Sequence, residues 1–147
     1  MTTIDNCHFC KMANDYPEEH IIYECADLVV FLSSDPIRES HALIVTKEHY
    51  DYFDDLPKSI SHKIVDLGQL IAKSQKKIYS VERVGFVYTG GDIAHVHAHI
   101  IPLYEKTDIT SLKYIERVGG PEEMTSDGMK ELEKITESLR ATLENVK

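Results

Sequence analysis

The chain has 147 residues, 42% of them hydrophobic and 28% charged, with a formal net charge of −9 at pH 7, enough for one compact domain with its own core. A surface this acidic repels nucleic acid polymers and anionic membranes, and no apolar run approaches the roughly 20 residues of a membrane helix. The N-terminal residues lack the basic and apolar regions of a signal peptide, so the expected location is cytoplasmic and the expected organisation a single domain over 1–147.

Near the N-terminus, Cys7 and Cys10 are spaced C-x-x-C, and Cys25 brings the cysteines to three. In a cytoplasmic chain this pattern reads as metal or redox chemistry rather than as a disulfide framework. Two β-rich runs follow, Ile21–Glu24 and Leu28–Leu32, at a separation suited to a hairpin. Ser33–Ser40 is turn-forming, and His41–Thr46 is a third strand candidate. From about 57 to 79, Ile60, Ile64, Leu67, Ile71 and Ile78 recur at spacings of three, four and seven, the stripe of an amphipathic helix. Val84–Thr89 reads as a strand, Gly90 and Gly91 as a turn, and His95–Ile101 as a strand ended by Pro102. After Gly119–Pro121, the residues Met129, Leu132, Ile135, Leu139, Leu143 and Val146 repeat at helical spacing. The predicted fold is α+β, a five-stranded antiparallel sheet with one long packed helix and a C-terminal helix.

The fifth strand carries the chemistry. In "HVHAHIIP", His95, His97 and His99 alternate with Val96, Ala98 and Ile100, so the three imidazoles share one face of a strand. Two histidines at i and i+2 are commonly a solvated face. Three in succession, ended by proline, resemble the signature of the histidine triad (HIT) family, His-φ-His-φ-His-φ-φ with φ apolar, which His95 to Ile101 meet at every place. The resemblance extends to "CHFCKM", to the hairpin "IIYECADLVVFL" and to "HALIVTKEH", and covers residues 7 to about 104.

The resemblance implies transfer or hydrolysis at the α-phosphorus of a purine nucleotide or nucleotide conjugate, through a covalent nucleotidyl-histidine. It implies that His97 is the nucleophile, that the carbonyl of His95 accepts the Nδ1 proton of His97, and that His99 and His41 bind phosphoryl oxygens. By the same resemblance Phe31 and Ile22 wall the base. Ser33 stands where the family often has an Asp on the ribose, and Thr89 and Asp92 belong to the loop before the triad. That loop, "TGGDIA", is shorter than in close relatives, and Asp92 takes a place where a neutral donor is common. A structural zinc completed by Cys7, Cys10, His49 and His95 is implied too, as is a homodimer. Cys25 reads as core or hairpin filler; His8, His20 and His62 receive no role. Two other classes remain open: a zinc hydrolase whose metal is held by the three histidines, and a nucleotide-binding scaffold with little turnover.

Overall fold

The computed structural model describes residues 4–91, 93–106, 108 and 126–146. The chain divides into two compact units, Met1–Asp108 and Ile109–Lys147. The second holds the helix α3 (Ser126–Val146), which includes the predicted C-terminal repeat. Asp92 and most of the segment 106–123 lie outside the described residues.

The first unit runs α1 (His8–Asp15), β1 (Ile21–Glu24), β2 (Leu28–Leu32), β3 (Ala42–Thr46), α2 (Lys58–Tyr79), β4 (Arg83–Tyr88) and β5 (His97–Leu103). The strands form one sheet in the order β1-β2-β3-β5-β4, every neighbour antiparallel. The predicted five-stranded antiparallel sheet and long helix are therefore present. Helix α1 was not among the predicted elements. It is short, and its apolar stripe of Phe9, Met12, Ala13 and Tyr16 spans only two turns.

Both faces of the sheet are covered. On the α2 side Leu28, Val30, Ala42, Ile44, Val96, Ala98 and Ile100 pack with Ile64 of the helix, and Cys25 packs against this group as the filler expected. On the α1 side Val29, Phe31, Leu43 and Val45 pack with Phe9 and Ala13. Burial on both faces explains why the run from Leu28 to Phe31 is unbroken and apolar rather than alternating, while Leu32 at its end is exposed. Helix α2 approaches the sheet at Gly68, where a Cβ would lie 2.7 Å from the Phe86 ring. Ile60, Ile64, Leu67 and Ile71 face the core as predicted, but Ile78 is 69% exposed.

Strand β5 departs from the prediction at both ends. It begins at His97, leaving His95 in a bend, and it continues through Pro102, which pairs with Val84. Pairing with β3 stops at Ala42 and Ile100, so Pro102 lies where β5 has a neighbour on one side only, the situation in which a missing amide is tolerated.

Candidate active site

The tautomer of each triad ring follows from partners whose roles are fixed. A backbone carbonyl can only accept, and that of His95 lies 2.7 Å from His97 Nδ1; the Nδ1 of His97 therefore carries the proton and its Nε2 the lone pair. An amide N–H can only donate, and that of Ile37 lies 3.1 Å from His41 Nδ1. His41 is consequently protonated at Nε2, which donates to His99 Nδ1 at 2.9 Å. The proton of His99 then sits on Nε2, with Thr89 Oγ1 3.4 Å away. Two separate sets of contacts thus leave His97 offering a lone pair and the neighbouring His99 ring offering an N–H.

Burial disfavours the charged form of His41 and His99. It holds the pKa of His41 below the ordinary imidazole value, and that of His99 down to about 4, with nearby His97 and His41 adding to the effect. His97 lies against the Phe9 ring at 4.6 Å between centroids and is 8% exposed.

His97 and His99 border a cleft of about 320 Å³ whose wall includes Phe9, Met12, Phe31, Leu43, Ser33 and Thr89. Among the described residues no lysine or arginine lines it and Asp35 does, so an anion here would meet imidazole and hydroxyl groups with one carboxylate nearby, rather than a basic patch. Of the residues the sequence suggests for the nucleotide, Phe31, Ser33 and Thr89 come together in this cleft. Ile22 does not. It lines a separate apolar groove of about 690 Å³ between β1, β2 and α2, and the residue paired with Phe31 is Ile21. Directly paired residues share a face, so Ile21 rather than Ile22 lies on the face of Phe31. His41 is 3% exposed and both of its ring nitrogens have protein partners, so its reach to a ligand passes through His99. Phe9 and Met12 were missed; the signal available was their helical spacing directly after the first cysteine.

On the other side of His97, four donors converge. The ligand atoms of Cys7, Cys10, His49 and His95 lie within 4.8 Å of one another, a group able to hold a metal ion. His95 Nδ1 is 3.3 Å from both sulfurs, and His49 Nδ1 is 3.3 Å from Cys10 Sγ. The opposite nitrogens are engaged, His95 Nε2 with the Thr46 carbonyl at 2.7 Å and His49 Nε2 with Asp51 at 2.8 Å, which turns each Nδ1 lone pair toward the cluster. Burial lowers the pKa of His95 to about 4 and raises that of the Cys10 thiol. Two sulfurs and two imidazoles suit a closed tetrahedral site. The triad rings have different partners: His95 faces the cysteines, His97 the carbonyl of His95, His99 the ring of His41. Among the described residues, Cys7, Cys10, His49 and His95 form the one such metal-holding group.

The family model of the HIT domain matches residues 16–106. An uncharacterized HIT-like protein of Methanocaldococcus jannaschii is 31% identical over 109 residues, which cover 67% of this chain and 80% of that protein. The adenosine 5'-monophosphoramidase of Candida albicans is 29% identical over 155 aligned positions, covering 99% and 97%. A solved structure, the histidine triad nucleotide-binding protein from Candida albicans, superposes with a TM-score of 0.68 at 25% identity, over 96% of this chain and 99% of that one.

Proposed function

The chain belongs to the HIT family, and on that premise we propose that it is a nucleotide hydrolase or nucleotidyl transferase acting at the α-phosphorus of phosphoramidates, adenylylated compounds or dinucleoside polyphosphates. The observation that carries this reading is the 2.7 Å contact of His97 Nδ1 with the His95 carbonyl, because it leaves Nε2 as a neutral nucleophile beside the cleft. The lone pair of Nε2 forms a bond to phosphorus while the bond from phosphorus to the leaving group breaks. The leaving group departs with its electron pair and takes up a proton. Water then attacks phosphorus and gives up a proton to solvent, replacing the one the leaving group took up from it, while the bond from phosphorus to Nε2 breaks, releasing the nucleotide and restoring the lone pair of His97. The Nδ1 proton stays on the ring throughout, and the His95 carbonyl offsets the positive charge of the intermediate. His99 Nε2–H donates to a phosphoryl oxygen as negative charge grows, and His41 holds His99 in that tautomer. Phe31, Ser33 and Thr89 contact the nucleotide. The name of the Candida albicans relative, an adenosine 5'-monophosphoramidase, supports the phosphoramidate as first substrate to try.

Cys7, Cys10, His49 and His95 would hold a structural zinc, which would tie the N-terminal segment to the start of β5. A homodimer is the expected assembly. Its support is the edge position of β4 and the exposed Phe86, Val65 and Leu70 on β4 and α2. The cytoplasm is the proposed location; among the described residues no helix is long and apolar enough to cross a membrane.

The test is single-turnover mixing with an α-labelled adenylyl phosphoramidate, followed by acid or alkali. A phosphorus–nitrogen bond to histidine is lost in acid and survives base, so base-stable label on the protein is expected. Turnover without label that a chelator abolishes would replace this reading with metal-dependent hydrolysis. Binding with neither label nor turnover would leave a scaffold.

A further inference from the structure

The turn before β3 holds a conformation its sequence does not favour. Ser40 has φ 69°, and the His41 amide donates to the Arg38 carbonyl at 3.0 Å, which puts Ser40 at the third position of the turn. A positive φ at that position is ordinarily given to glycine or asparagine, because a Cβ crowds the following carbonyl. Backbone in such a state persists only where its surroundings overdetermine it.

What holds it comes from the far face of the sheet. Gln75 of α2 is 2% exposed, and its Nε2 donates to the Ser40 carbonyl at 2.6 Å and to the Ile100 carbonyl at 3.1 Å. Two carbonyl acceptors fix which end of the amide is nitrogen. The cost lies at the other end: among the described residues, the buried Gln75 Oε1 has no hydrogen-bond partner. An unsatisfied buried oxygen works against stability, and a leucine would fill an apolar helix face without it. The side chain is therefore accounted for by what its nitrogen holds. Next along the chain is His41, whose carbonyl accepts from Ser33 N at 2.8 Å and whose ring is oriented by Ile37 N–H at 3.1 Å. The same turn thus sets both the backbone and the ring of His41, and His41 sets His99.

We propose that Gln75 is a positioning residue for the histidine pair: from the α2 side, at the end of the β3–β5 ladder, its carboxamide holds the left-handed Ser40 peptide, and the held turn aims His41 Nε2–H at His99. Its kinetic consequence rests on the reading of His99 as the donor to phosphoryl oxygen; its structural consequence does not. A residue that only capped two strand-end carbonyls would stabilise the fold without acting on the rings.

The experiment uses the full chain as purified and compares wild type, Gln75→Met, Ser40→Gly and the double variant by long-range ¹H–¹⁵N spectra of the imidazoles and by steady-state turnover of adenylyl phosphoramidate. Gln75→Met is expected to replace the single Nε2–H signature of His99 with a tautomer mixture and to lower kcat about tenfold at nearly constant KM. Adding Ser40→Gly, which takes the positive φ without strain, is expected to restore the signature and most of kcat. Wild-type ring signals in Gln75→Met would overturn the proposal, and so would a loss that Ser40→Gly does not rescue. If Gln75→Met does not fold, Ser40→Gly decides alone: a raised Tm with the His99 signature kept supports the strained turn, and a lowered Tm overturns it. Wild type without turnover of this substrate would sink the proposed reaction, and the ring signals would still decide the role of Gln75.

Discussion

His95 and His97 are joined in a way that gives one residue two roles: the His95 carbonyl accepts from His97 Nδ1 at 2.7 Å, while the His95 ring turns its own Nδ1 to within 3.3 Å of both Cys7 and Cys10. The backbone of His95 thus orients the proposed nucleophile, and its side chain anchors that backbone to the cysteine cluster. The N-terminal segment, far from β5 in sequence, becomes part of the support of the site.

Removing the nucleophile should cost the transition state far more than the ground state. His97→Ala is expected to abolish nearly all turnover while changing the Kd for a nucleoside monophosphate by less than about tenfold. Wild-type kinetics in this variant, read in the same assay as base-stable label, would transfer the nucleophile's role elsewhere.

The Cys7 and His49 donors are expected to bind metal as a unit with Cys10 and His95. Freshly prepared, unchelated protein should contain about one zinc per chain, and Cys7→Ala or His49→Ala should lose it together with several kcal/mol of stability, since binding is linked to folding. Elemental analysis with denaturant titration checks both; metal-free wild type of full stability would remove the site.

Acid should destabilise the fold through the His41 and His99 pair. Burial holds both pKa values below the ordinary imidazole range, that of His99 at about 4, whereas in the unfolded chain each titrates near 6.5. Between these values the unfolded state binds more protons, so stability falls as pH falls, by up to about 1.4 kcal/mol per pH unit for each such ring. Tm measured from pH 7 to pH 5 should decline, and the decline should be shallower in His99→Gln. Equal slopes in the two proteins would mean that His99 does not titrate as its burial implies.

The loop that carries Ile37 is fastened from its outer side as well. Arg38 donates through Nη2 and Nε to Asp108 at 2.6 and 3.2 Å, and the amides of Tyr104 and Glu105 donate to the same carboxylate. The Arg38 hydrogen bond leads in holding the Asp108 pKa at about 2. Because that value lies below the unfolded one, the contribution is present above about pH 4 and is lost as pH falls toward 2. Asp108→Asn should therefore lower Tm at pH 7, and the gap to wild type should close in acid. A gap that does not change with pH would show that the carboxylate acts through shape rather than charge.

Strand periodicity, helical spacing and turn residues are local properties, and they made the five strands, the long helix and the shared histidine face legible. The alternation of His97 and His99 with Ala98 and Ile100 places two imidazoles on one face whatever the rest of the chain does. Roles that depend on pairing were not legible in this way. Whether Ile21 or Ile22 joins Phe31 is settled by the register of β1 on β2, and a shift of one residue exchanges the faces. The tautomer of His99 depends on His41, 58 positions away, and the turn that holds His41 depends on Gln75, 35 positions from Ser40. A hydrogen bond between such distant groups leaves no period in the sequence. It exists because the packing of α2 on the sheet brings a carboxamide to a strained carbonyl, and that is a property of the folded chain alone.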